Sequence, residues 1–140
     1  MLLREVFMSV ETKARFVGDY RVELTHGPTG DKFLTDLPAD NGGKGRGFSP
    51  TDLMAASLAS CILTIMAKTV ASDGVDLTGA SITVEKRMKE KPRMIGSFTG
   101  TIHLPQGLSD KVRTKLAACV HACPVHQSLH PDIKVELKID

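Results

Sequence analysis

Three thiols and a run of histidines are the residues of this chain whose types and spacing can do chemistry. Cys61 stands alone in SPTDLMAASLASC, whereas Cys119 and Cys123 share CVHACPVHQSLH with His121, His126 and His130. A lone cysteine among alanines is ordinarily a small apolar filler. To act as a nucleophile it must ionise, and an unperturbed thiol with a pKa of about 8.5 is only a few per cent thiolate at neutral pH. Burial lowers that fraction further. A reactive Cys61 therefore calls for a cation, and Arg15, Arg21 and Arg46 are the arginines that the strands and a glycine-rich loop can bring near it. Their spacing does not choose among them. Cys123 precedes Pro124, which leaves two readings. It either ends the apolar stripe of one helix or caps a helical turn restarting at Pro124, where unpaired amides and the helix dipole favour a thiolate. Cys119, one turn earlier on the same face, reads as core. Thiolates and imidazoles are good zinc ligands. Yet these pairs are spaced i,i+4, Pro124 turns the second half away, and neither CxxC nor HExxH occurs. The expectation is no metal, with the histidines forming a polar face over a helix end.

The element that must position Cys61 is a long helix from Ser49 to about Ser72. Ser49 suits the N-cap and Pro50 the first helical position, which needs no amide hydrogen. Asp52 lies in the first turn, where its charge favours the dipole. Asp73-Gly74 is the stop, glycine there taking the left-handed cap. At 1.5 Å per residue such a helix is about 35 Å long, the width of a small domain. Leu53, Met54, Leu58, Ile62, Leu63, Ile65 and Met66 spread around its circumference, and a helix apolar all round is buried or spans a membrane. Lys68, Ser57, Ser60 and Thr64 interrupt the run, which favours a buried central helix over a membrane span.

Before this helix, Thr12–Leu24 alternates with period two, a half-buried strand bent or turned near Gly18-Asp19. A turn at 26–30 leads to a second strand at Asp31–Leu37, and a glycine-rich loop covers Pro38–Gly47. After the helix, Ala80–Lys89 and Ile95–Leu104 read as an antiparallel hairpin. Ser109 caps a second helix with a stripe of Val112, Leu116, Cys119, Val120 and Cys123. Pro124 breaks it, a short turn covers Val125–Leu129, and Ile133, Val135, Leu137 and Ile139 alternate as a last strand. The order β-β-α-β-β-α-α-β points to an α+β fold, antiparallel sheets around a buried central helix. Cover on all sides of that helix calls for a second copy of the chain, an obligate two-fold homodimer.

The 140 residues fit one domain over 1–140, with residues 1–9 disordered or an additional segment. A net charge of +2 and 4% aromatic content give no reason to expect nucleic acid. The start carries no signal-peptide pattern. An odd count of three cysteines argues against a disulfide framework and for a cytoplasmic protein with reduced thiols.

The pair of motifs, SPTDLMAASLASC and then CPVHQSL with its cysteine 62 residues after Cys61, resembles the OsmC/Ohr superfamily of thiol-dependent peroxidases. The element order matches from about Val10 onward. The resemblance implies an intertwined homodimer with active sites at the subunit interface. It implies that Cys61 attacks the outer oxygen of an organic or fatty-acid hydroperoxide, sometimes hydrogen peroxide, and becomes a sulfenic acid. Cys123 then resolves it as a disulfide, which a dithiol reduces, often a lipoylated protein. No metal or organic cofactor is implied, and the expected setting is oxidative or osmotic stress defence. The family's glutamate after the motif proline is Thr51 here, followed by Asp52. Its hairpin arginine falls near Gly18, between Arg15 and Arg21. Arg15, Arg21, Arg46, Thr51 and Asp52 are therefore the activating candidates, and the chain resembles the OsmC-like branch more than the hydroperoxide resistance enzymes proper. The alternative is an OsmC-like protein that binds an apolar ligand in the interface cleft without efficient turnover.

Overall fold

The computed structural model of the chain describes residues 9–140, so the stretch 1–9 lies outside it but for its last residue. Within the span expected to be one domain, the described backbone gathers into two compact units, 9–50 and 51–140.

The first unit is a three-stranded antiparallel sheet in the order β1 (Thr12–Gly18), β2 (Arg21–His26) and β3 (Lys32–Asp36). The stretch expected as a strand bent or turned near Gly18-Asp19 is thus a hairpin, turned at that place. Asp19 and Tyr20 are its whole loop, with φ of 53° and 57°. Positive φ at both central residues is the type I′ turn, whose twist matches that of the flanking strands. The usual Asn-Gly signature is absent, so the period-two pattern runs through the turn unbroken. Asp19 is held by Lys44 Nζ at 3.0 Å and Arg46 Nη1 at 2.9 Å. Phe16, Phe33 and Phe48 remain exposed in this unit.

The second unit is built on α1 (Pro50–Val70). A 3-10 turn, Ala71–Asp73, continues it, and Gly74 closes it with φ 72° and its N–H on Ala71 O. This is the stop read from the sequence. The sheet β4 (Ser81–Lys89), β5 (Met94–His103), β6 (Lys134–Ile139) has β5 in its centre. The β4–β5 pair is antiparallel as expected, but β6 runs parallel to β5. Here α2 (Asp110–Ala122) and α3 (Pro124–Ser128) carry the chain back between them, the kind of crossover that parallel pairing needs. Ser109 caps α2, its Oγ accepting from Val112 N at 3.2 Å.

The core of this unit joins Leu58, Ile62, Met66 and Val70 of α1 to Ile95, Phe98 and Ile102 of β5 and to Val112, Leu116, Cys119, Val120 and Cys123 of the α2 side. Residues at i, i+4, i+8 and i+12 form one stripe of α1. The opposite side, with Met54, Ser57, Ser60, Thr64 and Ala67, is exposed. Within this chain, then, the helix is covered along one stripe and not all round. By length and composition Pro50–Asp73 is apolar enough to cross a membrane, at mean hydropathy 1.7. Its four stripe residues are instead fully buried in the unit's own core.

Candidate active site

Cys61 projects from the middle of α1 and packs, half-buried, against the core. Cys123 sits where α2 ends and α3 begins, with no exposed surface. Cys61 packs against the buried cluster that holds Cys123, near enough to act on the ionisation of its thiol. Two cysteines 62 residues apart in sequence thus share one core.

The Cys123 position is set by Pro124. Proline carries no amide hydrogen and cannot donate to Val120 O, as the next residue of a continuing helix would. The chain breaks, and Cys123 takes φ −68° and ψ 139° as both the C-cap of α2 and the N-cap of α3. Its sulfur takes the place of a capping oxygen, accepting from His126 N at 3.2 Å. The α2 carbonyls left over are met by side chains. His126 Nδ1 donates to Val120 O at 2.9 Å, and Gln127 Nε2 to His121 O at 2.6 Å.

Cys123 both ends the buried stripe of α2 and caps α3, so the cap read from the sequence is observed. The ionisation expected from it is not. Burial pushes the Cys123 thiol up from its ordinary value, and the neighbouring Cys61 adds to the rise. The His126 and Val125 backbone amides pull the other way without reversing it. A helix of five residues has little dipole to add.

Cys119 points elsewhere. Its sulfur lies 3.5 Å from Thr69 Oγ1 and 3.4 Å from Lys115 O. Among the described residues no three His, Cys, Asp or Glu side chains gather as a metal site. His121 and His126 face one another with ring centroids 5.3 Å apart.

The five activating candidates fall into distinct settings. Arg15 is on exposed β1 and pairs with Glu23 at 3.3 Å. Arg46 is committed to Asp36, Nε to Oδ2 at 2.7 Å, and to Asp19. These hydrogen bonds hold the buried Asp36 carboxyl well below the usual carboxylate range. Arg21 forms no ion pair among the described residues, and its Nε is buried without a hydrogen bond. All three arginines lie in the first unit, whereas both cysteines lie in the second. Thr51 and Asp52, in the first turn of α1, are both gripped by Lys86, whose Nζ is 2.7 Å from Thr51 Oγ1 and 2.9 Å from Asp52 Oδ1.

Sequence reasoning missed Lys86. The signal was there: it shares the inward parity of β4 with Ile82, Val84 and Met88. The side-chain closure of α2 by His126 and Gln127 was missed as well, although Pro124 announces an orphaned carbonyl.

The profile of the OsmC-like protein family matches residues 42–138. The chain therefore belongs to the OsmC-like family. Among solved structures it is similar to one from Psychrobacter arcticus 273-4, provisionally named an osmotic stress induced and detoxification response protein. The two share 36% identity at a TM-score of 0.88, over 99% of this chain and 100% of that one. The fold is also that of an organic hydroperoxide resistance protein OsmC from Legionella pneumophila (TM-score 0.77, 21% identity, 97% and 99% of the chains). It is shared by the organic hydroperoxide resistance protein OhrB of Bacillus subtilis (TM-score 0.67, 19% identity, 95% and 98%). No curated protein matches the sequence.

Proposed function

We propose that this chain is a thiol-dependent hydroperoxide reductase, with Cys61 the peroxidatic and Cys123 the resolving cysteine. The observation that carries the reading is that Cys61 of α1 packs against the core cluster holding Cys123 at the α2–α3 junction, where it influences the Cys123 thiol. The half-buried Cys61 is the more accessible of the pair, so it is the one a peroxide reaches first. Its thiolate attacks the outer peroxide oxygen. The O–O bond breaks, the alkoxide leaves and takes a proton as the alcohol, and sulfur becomes the sulfenic acid. The Cys123 thiolate then attacks that sulfur and expels hydroxide, which leaves as water, giving the Cys61–Cys123 disulfide. A dithiol, such as the lipoyl group of a lipoylated protein, reduces the disulfide by exchange and is itself oxidised. The substrates in this reading are organic hydroperoxides, fatty-acid hydroperoxides included. The setting is the cytoplasm, with the enzyme working as a homodimer in oxidative or osmotic stress defence.

Peroxide consumption with a dithiol reductant, and dimedone trapping, test the assignment. Cys61→Ser should abolish turnover, and Cys123→Ser should leave a dimedone-reactive sulfenic acid on Cys61. Turnover by Cys61→Ser at the wild-type rate contradicts it. In that case lipid retained in native mass spectrometry, with thiols inert to peroxide, would mark the chain as an apolar-ligand binder.

A further inference from the structure

We infer that His126 is a positioning residue for Cys123, an inference that rests on the peroxidase reading for its catalytic meaning. Pro124 interrupts the α2 ladder after Cys123, whose carbonyl takes a new backbone bond from Gln127 N–H at 3.0 Å in α3 while its sulfur must be held otherwise. What closes the gap is one residue used twice. The backbone N–H of His126 donates to Cys123 Sγ at 3.2 Å, while its ring Nδ1 reaches back to Val120 O at 2.9 Å. A carbonyl oxygen only accepts, so Nδ1 carries the hydrogen. The ring thus ties the amide that holds the sulfur to the last full turn of α2. Val120 is itself buried, 5% exposed, in the core that also holds Cys61. The brace therefore fixes Cys123 Sγ against the element that carries its partner. Gln127 repeats the device on His121 O at 2.6 Å, but from an exposed position.

Without the imidazole, Val120 O loses its donor and the junction frays. The sulfur then spends less time against Cys61 and more in solvent. The step that suffers is resolution, not the attack of Cys61 on peroxide. Asparagine places an amide N–H near the position of Nδ1 and should restore the brace, whereas alanine cannot.

Two readouts test this in His126→Ala and His126→Asn. The first is the alkylation rate of Cys123 by N-ethylmaleimide in a Cys61→Ser background, followed by peptide mass spectrometry. It should rise roughly tenfold in the alanine variant, the factor that matches loss of one part-buried hydrogen bond, and fall back in the asparagine variant. The second is the lifetime of the dimedone-reactive Cys61 sulfenic acid after one equivalent of cumene hydroperoxide. It should lengthen by a similar factor in His126→Ala and recover in His126→Asn, with the rate of sulfenic acid formation held. Alkylation unchanged in His126→Ala, or no better protected in His126→Asn than in His126→Ala, overturns the inference. If wild-type protein forms no sulfenic acid, the peroxidase reading falls, and the alkylation arm still decides the role of His126.

Discussion

At the scale of single residues the pair of thiols is asymmetric, and the asymmetry makes a kinetic statement. Burial first, then the neighbouring Cys61, raises the Cys123 pKa above the ordinary thiol value. A resolving cysteine reacts as its thiolate. At neutral pH Cys123 is held as the thiol, so its attack on the sulfenic acid should accelerate with pH across the neutral range. The slope should be about tenfold per unit, as for any group titrating above the range observed. Stopped-flow measurement of sulfenic acid decay between pH 6 and 9 checks this, and a plateau near pH 7 contradicts it. The cysteines were legible as candidates from their neighbours in sequence. Their pairing came only with the family resemblance, because nothing in local spacing says that a residue in α1 meets one after α2. The arginines were not separable for a similar reason. Which of Arg15, Arg21 and Arg46 is tied up depends on where Glu23, Asp36 and Asp19 lie, which is a tertiary fact.

At the scale of elements, β5 is the strand on which the second unit's packing turns. Phe98 and Ile102 are fully buried in the core they share with α1, and Gly100 lies between them on the same face. A Cβ at Gly100 would stand 1.8 Å from Thr83 O of the neighbouring strand. Backbone there cannot rotate away as a side chain can, so Gly100→Ala forces β4 and β5 apart at a cost of about 1–3 kcal/mol. Phe98→Ala empties the core and should cost about 3–5 kcal/mol. Urea denaturation of both variants measures these losses. Stability within 0.5 kcal/mol of wild type, roughly the spread of neutral surface changes, would contradict the packing described. Element types and most boundaries were readable because periods of two and of three to four dominate this chain. Two features were not. The Asp19-Tyr20 turn lacks the usual glycine, and the parallel direction of β6 is set by α2 and α3 crossing over, which alternation cannot report. Lys86 shows a third case, a charged residue on an inward parity that finds Thr51 and Asp52 as partners.

At the scale of the whole molecule, the chain leaves apolar surface that one copy does not cover. In the first unit Phe16 and Tyr20 are each 66% exposed, and in the second Met54 lies on the open side of α1. Exposed aromatics in such number mark an interaction surface. We propose that a second copy covers them. Sedimentation at micromolar concentration should then give a species of about 30 kDa, twice the 15.1 kDa chain, and a single species of chain mass would contradict a stable dimer. The central claim, however, is the chemistry of the two thiols. Its most direct test is intact mass and disulfide mapping of the reduced protein after one equivalent of cumene hydroperoxide, under non-reducing conditions. The account predicts loss of two hydrogens and one crosslinked peptide joining Cys61 to Cys123. An unchanged mass, or slow oxidation spread over Cys61, Cys119 and Cys123 alike, would contradict it.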